Sequence, residues 1–141
     1  MPARTASAVW TGDLKSGKGT MKFGGGAWEG AYSFQSRFEE GAGTNPEELA
    51  AAAHSGCFSM AFANELSKAG FVPTRVATTA KVHLEKGEAG FSITRIDLAC
   101  EAQVPGIDDA KFQEIGAAAK KGCPISKLFT GAQINLDAKL V

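Results

Sequence analysis

At 141 residues the chain has the length of one domain, 1–141, with a real core, and its 15 lysines and arginines are balanced by 15 aspartates and glutamates. It lacks the basic excess by which nucleic-acid binders attract phosphate and surface helices hold anionic lipid, so neither nucleic acid nor a membrane is an expected partner. No stretch is apolar for long enough to span a bilayer, and Met1 to Thr5 leads into no apolar signal segment, so the expected compartment is the cytoplasm. Three cysteines without regular spacing point to thiols kept for reactivity or packing rather than to structural disulfides.

The first third reads as strands punctuated by glycine: Ala6 to Trp10, Thr20 to Phe23 before the run Gly24 to Gly26, and Ala31 to Phe38. Strict alternation in the last of these would put Tyr32, Phe34 and Phe38 on one face and Arg37 on the other. Thr44-Asn45-Pro46-Glu47-Glu48 is a complete helix start, with an Asn cap, proline at the first helical position and acids at the positive end of the dipole. That helix should run to about Ala69 and stop at Gly70. With no formal charge from Leu49 to Asn64 and small residues on all sides, it is expected to be buried all round.

Two strands follow, roughly Val76 to Glu85 and Phe91 to Val104, joined as a hairpin through Gly87 to Gly90, and a change of parity near Thr94-Arg95 signals a bulge. Asp108 caps an amphipathic helix ending at Gly122, Pro124 opens a short helix through Ile125 and Leu128, and a final strand turns Ile134, Leu136, Ala138 and Leu140 inward. The class is α+β, with antiparallel sheets packed around the long central helix.

Gly12-Asp13-Leu14-Lys15-Ser16-Gly17-Lys18 imitates a phosphate loop, but Gly19 stands where a magnesium-binding hydroxyl belongs, and the residues after it alternate like a strand. The two histidines, His54 and His83, are too far apart and too unsupported to define a metal site. Taken alone, Cys57 reads as a small core residue in the middle of a buried helix. Cys100 shares a strand face with Leu98, Ala102 and Val104, the pattern of a packed thiol. Cys123, between the Gly122 stop and Pro124, is placed to cap the short helix, where free backbone N–H groups favour a thiolate.

The segments Gly43 to Leu49, Ala53-His54-Ser55-Gly56-Cys57-Phe58-Ser59-Met60-Ala61, and Ala119-Lys120-Lys121-Gly122-Cys123-Pro124-Ile125-Ser126 together resemble the signature of the osmotically inducible protein C (OsmC) and organic hydroperoxide resistance (Ohr) family. The match extends from about Trp10 to the C-terminus, and the Gly-Cys-Pro-Ile-Ser form is similar to the OsmC branch. The resemblance implies an OsmC-like fold in an intertwined homodimer and a peroxidase acting on organic hydroperoxides in stress defence. It further implies that Cys57 is the attacking thiol, Cys123 the resolving thiol, Arg37 the activating cation and Glu47 its orienting partner. A small dithiol or a redox protein would be the reductant, and no metal, flavin or haem is required.

Elementary chemistry constrains these roles. A thiol of ordinary acidity is only about 3% ionised at neutral pH, so complete ionisation gains roughly thirtyfold at most, less the accompanying loss of nucleophilicity. A cation must therefore do more than ionise Cys57, and a guanidinium can meet both the sulfur and a peroxide oxygen. Glu47 and Cys57 lie ten residues apart on one helix, about 15 Å along its axis, so Glu47 cannot touch the site of its own chain. Two such helices packed antiparallel would bring Glu47 of one chain towards Cys57 of the other, with Arg37 bridging, in a dimer with composite sites. Phe38, Phe58, Met60 and Phe62 are candidates for an apolar pocket, or else ordinary core. The competing class is a non-catalytic redox switch or stress-responsive binding protein using the same cysteine pair.

Overall fold

The computed structural model describes residues 1–141, which divide into two compact units, Met1–Leu49 and Ala50–Val141. In the first unit, β1 (Ser7–Thr11), β2 (Lys18–Phe23) and β3 (Trp28–Tyr32) form an antiparallel sheet in chain order. Gly24 and Gly25, at φ 63° and 65°, take the chain from β2 into β3 through a left-handed turn that side chains with a Cβ rarely adopt. The phosphate-loop imitation falls in the β1–β2 connection, where the Asp13 carboxylate accepts from the Ser16 N–H and hydroxyl and closes a turn.

The expected strand through Phe38 stops at Tyr32. Ser33 instead caps a short helix, α1 (Phe34–Phe38), in a reciprocal box: its hydroxyl accepts from the Ser36 N–H while the Ser36 hydroxyl accepts from the Ser33 N–H. Two satisfied backbone donors outweigh the alternating apolar pattern. The consequence is that Arg37 does not point away from the aromatic residues; its guanidinium carbon lies 5.3 Å from the centre of the Phe38 ring.

Helix α2 (Pro46–Lys68) begins and ends where its signals place it. The Asn45 side chain accepts from the Glu48 N–H at 2.8 Å, and Gly70 turns the chain at φ 91°. The division between the units falls within α2. In the second unit His54, Phe58, Phe62 and Leu66, spaced by four, are fully buried. The opposite face, with Ala52, Ala53, Gly56 and Met60, is exposed, so within a single chain the helix is buried on one side rather than all round.

β4 (Arg75–Gly87) and β5 (Gly90–Gln103) form the expected hairpin. Register shifts where His83 pairs with Arg95 and Leu84 with Ile93, leaving Thr94 as the extra residue of a bulge at the parity change. β6 (Gln133–Leu140) runs parallel to β5, so this sheet is mixed. α3 (Asp109–Gly122) and α4 (Pro124–Leu128) supply the long crossover that a parallel pair requires. His83 is absorbed into this sheet: its Nε2 lies 2.8 Å from Asp97, whose other oxygen accepts from Asn135 on β6.

The core of the second unit joins Phe58, Phe62 and Leu66 of α2 to Ile96, Leu98, Cys100 and Ala102 of β5 and Phe112, Ile115 and Ala119 of α3. Phe62 and Phe112 contact with ring centres 5.1 Å apart. A Cβ on Gly116 would come within 3.3 Å of the Phe62 ring, so the glycine lets α3 close on this cluster.

Candidate active site

Cys57 lies one turn after the buried His54 on α2 and is itself half-buried. Cys123 occupies the joint between α3 and α4. Its N–H still donates to the Ala119 carbonyl at 2.9 Å, but the proline that follows forces it into an extended conformation (φ −58°, ψ 122°), which ends one helix and starts the next. The joint packs into the core and leaves Cys123 0% exposed. The two sulfurs stand 3.0 Å apart, both free thiols. About 1 Å of further approach would bring them to covalent S–S distance.

The expected cap at Cys123 takes a particular form: its side chain makes no N-cap hydrogen bond of the hydroxyl type, but its acidity responds to the same groups. Burial pushes the Cys123 thiol up, yet bonds from Cys57 and from the N–H and hydroxyl of Ser126 outweigh it and hold the thiol below its ordinary value. Cys57 shifts the other way. Burial, reinforced by Cys123, pushes its thiol up against a weaker contribution from the Ile125 backbone. Within its own unit, therefore, burial disfavours the Cys57 thiolate. Cys100 is a packed thiol in β5 opposite Thr78, and burial raises it too.

Arg37 and Glu47 form the second pair, held wholly within the first unit. Nη2 of Arg37 donates to Oε1 of Glu47 at 2.7 Å, and Nε reaches both carboxylate oxygens at 3.2 Å. Glu47 is buried while Arg37 is partly exposed, so the carboxylate anchors the guanidinium and leaves its remaining donors available. A cavity of about 240 Å³ beside it is lined by Trp10, Leu14, Tyr32, Phe34, Arg37 and Phe38. Of the other candidate pocket residues, Phe58 and Phe62 are fully buried core and Met60 is exposed on α2.

One contact escaped the sequence reading. Nε2 of His54 lies 2.7 Å from the Ser126 hydroxyl, with both residues buried. The signal lay in the spacing: His54 is three residues before one cysteine and Ser126 three residues after the other, each on the face its cysteine shares.

A mixed sheet crossed by a helix that brings two free thiols into contact defines a dithiol protein. The comparisons narrow this class. The model of the family described as "OsmC-like protein" matches residues 39–139. The chain is 49% identical to peroxiredoxin OsmC of Escherichia coli, across 97% of this chain and 96% of that one. It is 32% identical to an organic hydroperoxide resistance protein of Xanthomonas axonopodis pv. citri, across 71% and 67% of the two chains. Its structure superposes on the crystal structure of the organic hydroperoxide resistance protein OhrB of Bacillus subtilis with a TM-score of 0.73, covering 96% and 98% of the chains at 26% identity. The chain belongs to the OsmC family.

Proposed function

We propose that the chain is a thiol-dependent peroxidase that reduces organic hydroperoxides to alcohols, with Cys57 as the attacking thiolate and Cys123 as the resolving thiol. The observation that carries this reading is the pair of free sulfurs 3.0 Å apart, one half-buried and one fully buried. A peroxide has access to Cys57, whereas Cys123 is placed to attack whatever forms on Cys57. That asymmetry of access outweighs the asymmetry of acidity, because a more acidic sulfur that no substrate can reach cannot react first.

In the first step the Cys57 thiolate attacks the outer oxygen of the hydroperoxide and the O–O bond breaks. The alkoxide leaves, takes up a proton to become the alcohol, and Cys57 carries a sulfenic acid. Cys123 then attacks the Cys57 sulfur, the S–O bond breaks, and the departing hydroxide is protonated to water. A small dithiol or a redox protein reduces the resulting disulfide by exchange.

Because Cys57 is pushed up within its own unit, the thiolate and the leaving alkoxide both need a cation. Arg37 supplies it and Glu47 fixes its orientation, in a homodimer whose sites combine Cys57 and Cys123 of one chain with the Arg37–Glu47 pair of the other. The exposed face of α2 is the surface two copies would share, and the aromatic cavity beside Arg37 suits the organic group of the peroxide. No helix is long and apolar enough to cross a membrane.

The deciding experiment follows thiol loss after reduced protein meets cumene hydroperoxide or hydrogen peroxide. Fast loss that requires Cys57, with Cys123→Ser halting at a sulfenic acid, is the expected result. Slow loss indifferent to Cys57→Ser would replace the peroxidase by a redox switch or an inert fold.

A further inference from the structure

His54 is 0% exposed, lies in the apolar core of the second unit, and takes no part in the two-cysteine scheme above. One ring nitrogen, Nδ1, has no hydrogen-bond partner. The other, Nε2, sits 2.7 Å from the Ser126 hydroxyl, and the ring meets Phe129 edge-on at 5.6 Å. A histidine kept only for packing would be better replaced by an apolar side chain, since an unpartnered buried nitrogen works against folding. Ser126 follows Cys123 by three residues in the first turn of α4, where its hydroxyl and N–H favour the Cys123 thiolate. Hydrogen bonds thus join His54 to Ser126 and Cys123 to Cys57, and the first turn of α4 sets Ser126 beside Cys123, so the four groups lie along one path that leaves α2 and returns to it one turn later.

We propose that His54 and Ser126 are positioning residues for the resolving step, a buried relay in which Nε2 of His54 holds the Ser126 hydroxyl as a donor to the Cys123 sulfur. A serine hydroxyl has a single proton. It can be donated to His54 or to Cys123, not to both, and which of these occurs is set by the histidine tautomer. With the proton on Nε2, His54 donates to the Ser126 oxygen, the serine proton is committed to Cys123, and the bare Nδ1 lone pair is the nitrogen left unpartnered. Burial lowers the pKa of His54, so the ring stays neutral and keeps this role at neutral pH.

The relay rests on the peroxidase reading for its purpose. When the Cys123 thiolate attacks the Cys57 sulfenic acid, the S–S bond forms, the S–O bond breaks, and the proton given up by Cys123 ends on the departing hydroxide as water. His54 and Ser126 are neither oxidised nor consumed. Beside Ser126, Cys57 and the Ile125 N–H also favour the Cys123 thiolate. Cys57 is the titratable side chain that touches it from α2. On α3, Lys120 is turned to the Ile134 carbonyl and Lys121 is exposed; Lys127 on α4, and Asp137 and Lys139 on β6, are exposed too.

The test needs no peroxide. In the full chain carrying Cys57→Ser and Cys100→Ala, Cys123 is the only thiol, and its ionisation can be followed by thiolate absorbance as pH is raised. His54→Leu, which removes the donor, and Ser126→Ala should each raise the Cys123 midpoint by about one unit, a tenfold loss of thiolate at a fixed pH below it. His54→Gln, which can place an amide N–H near Nε2, and Ser126→Thr should stay near the parent. In chains with all three cysteines, His54→Leu and Ser126→Ala should slow conversion of sulfenic acid to disulfide about tenfold. An unmoved midpoint in both His54→Leu and Ser126→Ala, or a shift in His54→Gln as large as in His54→Leu, would overturn the relay. Should His54→Leu fail to fold, Ser126→Ala against Ser126→Thr decides alone. A wild-type chain indifferent to peroxide would count against the peroxidase and leave the titration standing.

Discussion

The Cys57–Cys123 pair and the Arg37–Glu47 pair are built in opposite ways. The sulfurs are brought together by residues 66 positions apart in sequence, one on a long helix and the other at a helix joint that is fully buried. The ion pair joins residues ten positions apart, through one short capped helix and the first turn of the next, at a partly exposed edge. The contrast separates two requirements of thiol chemistry. Two sulfurs that must bond need fixed geometry, which a packed core supplies. A cation in the role proposed for Arg37 needs one face anchored and another open, which a local bidentate contact supplies.

The largest expected effect is on the core-held pair. Phe62→Ala removes a fully buried ring from the inner face of α2 and should cost about 3–5 kcal/mol in denaturant unfolding, with slower disulfide closure as the sulfurs lose their register. Retention of wild-type stability would show that the dithiol does not depend on this core. For the edge-held pair, Glu47→Ala frees Arg37 without touching either thiol. Peroxide turnover should fall about a hundredfold, the scale of misplacing a catalytic group by an ångström. Mixing Cys57→Ser and Arg37→Ala chains should restore part of the turnover if sites are shared between chains, and none if each chain is self-sufficient.

Smaller effects sharpen the same contrast. Ser33→Ala breaks the capping box of α1 and should cost about 1 kcal/mol of stability, with a modest loss of turnover through Arg37. The smallest expected effect is one of pH. Burial lowers the His54 pKa below 6.5, so in the window beneath 6.5 the unfolded chain binds a proton that the folded chain refuses. Its contribution to stability is whole above pH 6.5 and declines as pH falls below it, and His54→Gln should flatten that part of the unfolding-versus-pH curve. Identical curves for the two proteins would mean that His54 is protonated in the folded state.

Local signals of one kind were enough for much of this. The Asn45-Pro46 start and Gly70 stop of α2, the Gly87–Gly90 hairpin, the bulge at Thr94 and the Asp108 cap all rest on backbone chemistry within a few residues, and all are found where that chemistry places them. Where two local signals competed, the alternation of Tyr32, Phe34 and Phe38 concealed the stronger one. The Ser33–Ser36 box satisfies backbone donors that a strand edge would leave open, and it turned a strand into the helix that carries Arg37.

The sequence by itself determined where the main helices begin, where the second unit's strands turn, and which two cysteine segments mark the family, because caps, turns and motifs are short-range. Only the tertiary structure decided that β6 lies parallel to β5, that the two sulfurs come within 3.0 Å, and that His54 finds Ser126 across 72 residues. Those contacts depend on how helices and sheet share one core, and a side chain's partner across such a core is settled by packing rather than by its neighbours in the chain.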